Sequence, residues 1–496
     1  MKRFFTFSWG LMLGFASMCA QVEVRVEPLI GKEAITAPIP VRVELRNHGT
    51  ATRGALEWRL SDDILCLIPV ELPPNARKQV ELAVPVNAWQ RTASKQREPN
   101  PVPDVPKLFW REAGKKGVQL PVPFNLNFRL PLVVIGDVQG GFEAWRRATY
   151  TLEYRFLGVP VDSSEGWRWT PVYLRPEQAP ANPLTLRGVP AIVLTEGCER
   201  LRTEQWDALI YWMLSGGHLI VSAGSLSLSL NQTPLRSLMP ATGKRVRVRL
   251  LEPIRPFGLS PPKEPVVLVQ AQSPPGWRTY RSGDHLIACQ TRVGLGMLTL
   301  FWGDWTATAW RGWASAPLLA SDWTAVPEPP TLKLRDALPR RSPWQLITLR
   351  QAATVSTLFA VYWLALLPLW RVMRRLRWLR YAPLAILALV GISGIALVLT
   401  TPRPKLSSEP QVERHTIRHP NLLHTLILSR YRFTLTGGAQ TLRLEPDAYL
   451  LTIQDMPLLE MNTRIHYLPP MQVHLQTQGK AQLDITTVQF RREAPL

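Results

Sequence analysis

Two apolar stretches lying close together constrain this chain more than anything else in it. Ala352–Leu369 is almost uninterrupted by polar residues, and Ala382–Leu399 repeats the pattern at similar length. About 20 apolar residues suffice to cross a bilayer as a helix, which satisfies its own backbone polar groups. Between the stretches lies Arg371-Val-Met-Arg-Arg-Leu-Arg-Trp-Leu-Arg380, which carries no acid. Short basic loops are retained in the cytoplasm. The pattern therefore predicts a two-helix transmembrane hairpin, with helices over 347–370 and 382–401 and a cytoplasmic loop over 371–380. Arg371, Arg374, Arg375, Arg377 and Arg380 are its topology determinants. Trp344, Trp363, Trp370, Trp378 and Tyr381 stand near the span ends, where aromatic belts form.

The amino terminus agrees with export. Met1–Ala20 opens with Lys2 and Arg3, continues apolar and ends in small residues, which reads as a signal peptide, cleaved or kept as an anchor. Cys19 raises a lipoprotein alternative, though Met18 suits a lipid-acceptor cysteine poorly. Either way the following chain lies outside, so the expected location is the cell membrane, with the N-terminal and C-terminal domains extracytoplasmic.

Composition limits how much of the chain the membrane can hold. A mean hydropathy of -0.03, with 46% hydrophobic and 19% charged residues, is too polar for a many-pass transporter. The net charge of +21 would point to nucleic acid in a cytosolic protein. In an exported one it points to the lipid bilayer and to another membrane or envelope protein or an acidic polymer, with no nucleic acid. The charge is scattered rather than gathered in one run. Beyond Cys19, the cysteines at 66, 198 and 289 are isolated, which supports neither a disulfide framework nor a zinc site.

Outside the hairpin the periodicity is strand-like. Val22–Val26, Val41–Leu45 and Val80–Val84 alternate with period two between turn clusters, predicting an N-terminal β-sandwich (Ig-like) over 21–87. Residues 88–129 are rich in proline and basic residues and read as an insertion or linker. Leu130–Ile135, Ala191–Leu194 and His218–Val221 are continuous apolar runs, and Thr203–Leu214 repeats its apolar residues at helical spacing. Such runs alternating with a helix predict an α/β parallel-sheet domain over 130–330. Val266–Val269, His285–Gln290 and Met297–Trp302 would extend its sheet. Residues 402–496 return to strand-like patterns and predict a C-terminal β-domain. The expected fold class is thus multi-domain: β-sandwich, α/β domain, transmembrane hairpin and C-terminal β-domain.

The stretch Gly188–Gly224 carries an apolar strand (Ala191–Leu194), an acidic loop, a helix with Gln205 and Trp212, the pair Gly216-Gly217 and a second strand (Leu219–Gly224). With Arg292–Leu300, a glycine-punctuated strand pair, it resembles a bacterial membrane-protein family with a class I glutamine amidotransferase-like, flavodoxin-related ectodomain. The resemblance spans most of residues 20–400. It implies fold and location more than activity.

An amidotransferase needs a thiolate on a strand-to-helix elbow, with a histidine beside it. The elbow after Leu219–Val221 reads Ser222-Ala-Gly-Ser225, without cysteine. Cys198 follows the previous strand between Glu196 and Glu199, and carboxylates raise a thiol pKa, the wrong direction for a nucleophile. Ser222 with His218 is the other pairing of these residue types. Gly136, Asp137, Gly140 and Gly141 end a strand where α/β sheets bind ligands, yet form neither a dinucleotide fingerprint nor a P-loop. His415, His419 and His424 are spaced by four and five; on a helix the first two could share a metal, but the segment is strand-like and Pro420 interrupts it, which favours surface histidines over a metal site. Trp302, Trp305, Trp310 and Trp313 offer flat faces for sugar stacking or, more simply, for packing. No catalytic residue, cofactor or metal follows from these patterns. The expected function is an accessory or scaffold in a membrane complex, or a binder of an envelope ligand. The alternative is an envelope hydrolase or amidotransferase-like enzyme with an unrecognised site.

Overall fold

Strands dominate the computed structural model. It describes residues 22–30, 38–61, 64–84, 107–122, 129–138, 140–142, 149–150, 167–226, 229–255, 260–311, 334, 371, 374–375, 411–435, 438–455, 461–466, 471–477 and 481–493. Residues 1–337 together with 411–496 form one compact unit, and 338–410 form a second.

The alternating N-terminal runs are β1 (Val22–Pro28), β2 (Ile39–Asn47) and β5 (Arg77–Val84), which pair antiparallel in the order β1-β2-β5. Their alternation works as period two requires: Val41, Val43 and Leu45 of β2 are fully buried, while Arg42, Glu44 and Arg46 face the other way. Between them, β3 (Thr52–Ser61) and β4 (Ile64–Leu72) leave for a second sheet, joined by β6 (Leu108–Glu112) and β7 (Val118–Leu120) from within the expected linker.

That second sheet is completed from the other end of the chain. After the α/β region come β18 (Gln411–Arg418), β19 (His424–Leu435), β20 (Gly438–Arg443), β21 (Ala448–Asp455), β22 (Met461–His466), β23 (Gln472–Thr477) and β24 (Ala481–Arg492). The seven-stranded order is β20-β23-β22-β4-β3-β6-β7, and its one parallel joint sets Ile465 of β22 beside Cys66 of β4. A further sheet, β18-β19-β24-β21, closes over the same core. Leu45, Trp58, Cys66, Ile465, Val473 and Ile485 belong to one apolar cluster. The two chain ends therefore make one β-body.

Between them lies an eight-stranded sheet. Its members are β8 (Arg129–Ile135), β9 (Thr149–Tyr150), β10 (Trp167–Leu174), β11 (Ala191–Leu194), β12 (His218–Ser222), β15 (Arg278–Ser282), β16 (His285–Val293) and β17 (Gly296–Phe301). The spatial order is β15-β16-β17-β12-β11-β8-β10-β9, with β17, β12, β11, β8 and β10 mutually parallel. Winding starts at β8, moves to β10, then returns to the other side of β8 for β11, β12 and β17. Apolar runs are the price of burial on both faces, and Leu132–Ile135 and Ala191–Leu194 are fully buried. Helix α1 (Thr203–Leu214) covers one face with Trp206, Leu209, Ile210 and Met213. The other is covered by the two-stranded ribbon of β13 (Thr242–Val248) and β14 (Val266–Ala271) and by aromatic side chains after β17. Helix α1 is tied to its surroundings by polar groups as well. The backbone N–H of Arg202 donates to Gln205 Oε1 at 2.9 Å, and Gln205 Nε2 donates to Pro176 and Ala179 carbonyls at 2.8 and 2.7 Å. Trp212 Nε1 donates to the Val189 carbonyl at 2.9 Å, and a Cβ on Gly217 would lie 2.2 Å from the Trp212 ring.

Both flanks of the β-body grip this sheet. Glu81 of β5 pairs with Arg42 at 2.9 Å and accepts from the Ala181 and Asn182 amides at 3.1 and 3.2 Å. On the far side, Asp207 of α1 meets His424 of β19 at 2.8 Å and Arg492 of β24 at 3.2 Å.

The expected fold class is corrected on two points. The described chain is mainly β-strand, α1 being the longest α-helix among the described residues, and the expected N-terminal sandwich and C-terminal β-domain interleave in one sheet. Strand alternation identifies strands but carries no information on which partner lies across the ladder, hence the difference. The expected transmembrane hairpin is also corrected: no helix among the described residues is long and apolar enough to cross a membrane. The runs 352–369 and 382–399 lie outside the described residues, as do Arg377, Arg380 and the expected signal peptide at 1–20. Of the arginine loop, Arg371, Arg374 and Arg375 are described, helical and exposed. An apolar window satisfies only one requirement of a spanning helix, so it does not by itself establish one. The expected cell-membrane location, drawn from the signal segment, the apolar runs and the arginine loop together, is corrected with it: no helix among the described residues is long and apolar enough to cross a membrane.

Candidate functional site

Parallel strands bring all their carboxyl ends to one edge, where the loops after β8, β10, β11, β12 and β17 gather. Winding reverses between β8 and β11, so the loops after these two strands diverge and would leave a crevice. Here they are stitched together instead. The Asp137 amide donates to the Glu196 carbonyl at 2.8 Å, the Gly136 amide to Leu174 at 3.1 Å, and the Thr195 amide to Ile135 at 3.0 Å. Gly197 has φ +94°, and a Cβ there would come within 2.6 Å of the Asp137 carboxylate. Asp137 pairs with Arg200, which also lies 3.7 Å from Glu177. Glu199 accepts from the Gly197 amide at 3.1 Å. The backbone amides of Gly136, Asp137, Thr195 and Gly197 are thus engaged by the protein's own acceptors rather than turned towards an anion. Gly141, with φ +99°, leads into Phe142, whose amide donates to the Tyr173 hydroxyl at 3.2 Å and whose ring is fully buried. Of the sequence-derived ligand loop, Asp137 is exposed, Gly140 is half-buried, and Gly136 and Gly141 are buried. Sequence patterns did not single out Arg200 and Glu177; both follow short strand-end turns, and only the register of β8, β10 and β11 brings them to Asp137.

The elbow after β12 is closed more completely. Ser222 is fully buried; its Oγ donates to the Gly303 carbonyl at 3.3 Å and accepts from the Trp305 amide at 2.9 Å. A Cβ on Gly224 would lie 2.2 Å from the Gly303 carbonyl carbon, so the two loops are in backbone contact. Over them Phe301 stacks on Trp305 at 4.5 Å and meets Trp310 edge-on at 4.9 Å. Trp302, Trp305 and Trp310 are buried, so their faces serve packing and offer no surface to a sugar; Trp313 lies outside the described residues. His218 begins β12 while Ser222 ends it, which separates them by about 13 Å at the usual strand rise. Its Nε2 instead bonds Thr299 Oγ1 at 2.9 Å, and Gln290 and Tyr280 extend that chain through contacts of 3.2 and 3.1 Å. The Ser222–His218 pairing is geometrically excluded.

Cys66, Cys198 and Cys289 are buried free thiols. Burial, followed by the charge of Glu199, pushes the Cys198 thiol far above its usual value, and burial pushes Cys289 up to about 12. A protonated, enclosed thiol is a poor nucleophile. His415 is exposed on β18, His419 lies in the following turn, and His424 is buried against Asp207. Among the described residues no group of His, Cys, Asp and Glu could hold a metal ion.

Comparison with known proteins adds little to this geometry. A family model described as a domain of unknown function (DUF8726) matches residues 21–96, which hold β1 to β5. No curated protein matches. Among solved structures, a catalytic mutant of a GH42 β-galactosidase from G. stearothermophilus aligns at 8% identity, 72% of this chain, 40% of that chain and TM-score 0.21. A β-galactosidase from Bacillus circulans sp. alkalophilus aligns at 9% identity, 64% of this chain, 35% of that chain and TM-score 0.20. The chain spans less than half the length of these structures, and such TM-scores carry no argument about fold or activity. The resemblance to amidotransferase-like membrane proteins is corrected: no amidotransferase family matches. The motifs that carried it, a strand, a helix with Trp212 and a Gly-Gly turn, are explained by local packing of α1 on its sheet.

Proposed function

We propose that this protein is a non-catalytic accessory or scaffold component that acts by binding another protein. The observation that carries the proposal is the state of Ser222, which stands where an acyl-transfer nucleophile would. Its hydroxyl is fully buried and engaged by Gly303 and Trp305. A nucleophile must be reachable by substrate and sit beside a base; Ser222 meets neither condition. Cys198 is enclosed and held protonated by its surroundings.

Reactive probes on the folded full-length chain test this reading. Fluorophosphonate should leave Ser222 unmodified and iodoacetamide should leave Cys198 unmodified, both reacting only after denaturation where they react at all. Stoichiometric labelling of either residue in the native protein would overturn the non-catalytic reading. Cys198→Ala should in addition leave the native fold and any partner binding unchanged.

A further inference from the structure

The ribbon β13–β14 carries a pattern that packing alone does not require. Along Lys244-Arg-Val-Arg-Val-Arg249, Val246 and Val248 pack against the apolar cluster on one face of the large sheet. Lys244, Arg245, Arg247 and Arg249 are exposed. With two-residue periodicity, Arg245 and Arg247 stand on the outer face of β13 about 7 Å apart, and Arg249 follows directly after the strand's end in the same alternation. Arg247 faces Val267 across the ladder, and Val267 is 46% exposed. Leu251, just beyond the ribbon, is 81% exposed. No carboxylate pairs with Arg247 or Arg249 among the described residues. Nearby, Arg255 and Arg281 face each other in an isolated antiparallel bridge, closed by backbone hydrogen bonds of 2.8 and 3.1 Å. Both side chains are exposed. Like charges directly opposite on a sheet repel, so Arg255 and Arg281 add to the local concentration of positive charge, with Arg281 also donating to the Asp284 carbonyl at 3.4 Å.

Resting on the binding role argued above, we propose that β13 is a docking edge for an acidic, extended segment of a partner protein. Among the described residues β13 pairs only with β14, so it is the outer strand of its sheet. An added strand would share its period, placing Asp or Glu at alternate positions beside Arg245, Arg247 and Arg249, with Val or Thr between them on the opposite face, beside Val246 and Val248. Backbone pairing then supplies attachment, and the arginine row supplies register and charge complementarity. Charged residues on an edge also discourage self-association, but that role makes no use of a regular arginine row flanked by exposed aliphatic side chains.

The test uses the full chain and a short synthetic peptide with Glu at every second position and Thr or Val between. A composition-matched scrambled peptide and polyphosphate serve as comparison ligands. The alternating peptide should bind, and R245Q/R247Q/R249Q should weaken it at least about tenfold. A second variant, R25Q/R53Q/R111Q, removes the same charge from exposed arginines elsewhere and should bind the peptide as the parent does. Thermal melts matching the parent show that both variants are folded. Equal losses in the two variants would reduce the effect to net charge and overturn the proposal. So would scrambled peptide or polyphosphate binding as tightly as the alternating peptide, or no binding of the peptide at all. Any of these leaves the reactive-probe result on Ser222 and Cys198 untouched, so failure of the docking edge and failure of the non-catalytic reading are distinguishable.

Discussion

In the eight-stranded sheet, β11, α1 and β12 follow one another within residues 191–222 and are also neighbours in space. In the β-body, β4 at 64–72 finds its parallel partner in β22 at 461–466. One region is assembled from contacts close along the chain; the other cannot be completed until its far end arrives. Loop closure costs grow only slowly with length, so the distant pairing is affordable in stability, but it is expected to slow folding. These regions should therefore respond differently to core damage, even though both lie in one compact unit.

The largest effect is expected in the locally built region. Trp212 is buried, donates to Val189 and supports Gly217 across its ring. Trp212→Ala should cost about 3–5 kcal/mol by denaturant unfolding. Hydrogen exchange should then show protection lost first in β8, β11 and β12. If β3 and β4 lose protection to the same degree, the two regions unfold together and the distinction between them fails.

The reciprocal substitution is Ile465→Ala at the parallel joint. Ile465 is fully buried beside Cys66, and its truncation should cost about 2–4 kcal/mol. Because β22 completes a sheet begun by β3 and β4, exchange should accelerate in these N-terminal strands although the substitution lies in the C-terminal part. Unchanged protection in β3 and β4 would mean that the N-terminal strands hold themselves together without the chain's other end.

The same contrast explains what could be read from the residues. β8, β11, α1 and β12 are visible because burial on both faces of a parallel sheet demands continuous apolar runs such as Leu132–Ile135. β1, β2 and β5 are visible because Val41, Val43 and Leu45 alternate with charged neighbours. Neither signal says that β4 pairs with β22, since a strand's period names its buried face and not its partner. At the candidate site, the missing cysteine after β12 was legible, while the occupation of Asp137 by Arg200 and of Ser222 by Gly303 depended on loops from separate strands. Hydropathy along 352–399 was the least reliable guide: it measures apolarity and is silent on whether a spanning helix forms. The alternation of Lys244–Arg249 was not singled out from the sequence, and only the packing of Val246 and Val248 shows that its arginines share the outer face.

The smallest effect concerns the contact through which the two regions meet. His424 of β19 is buried, with Nε2 2.8 Å from Asp207 and its ring edge-on to Tyr211 at 5.0 Å. Arg492 shares the same carboxylate, and Phe490 packs on Tyr211 from beside it. With Nε2 donating to Asp207, Nδ1 is buried and has no hydrogen-bond partner among the described residues. Protonation would add an unpaired buried N–H there, so burial holds the His424 pKa below its ordinary value despite the opposing pull of Asp207. The unfolded chain therefore takes up its proton first as the pH falls through about 6.5. Stability should be level above that value and decline below it, until the folded form is protonated too. His424→Gln keeps a hydrogen-bonding side chain but removes the titration, so its denaturation midpoint should fall less between about pH 7.5 and about pH 5.5 than the parent's. Equal declines in the two proteins would assign the acid sensitivity to other groups and leave the α1–β19 contact as a pH-independent seam between the two regions.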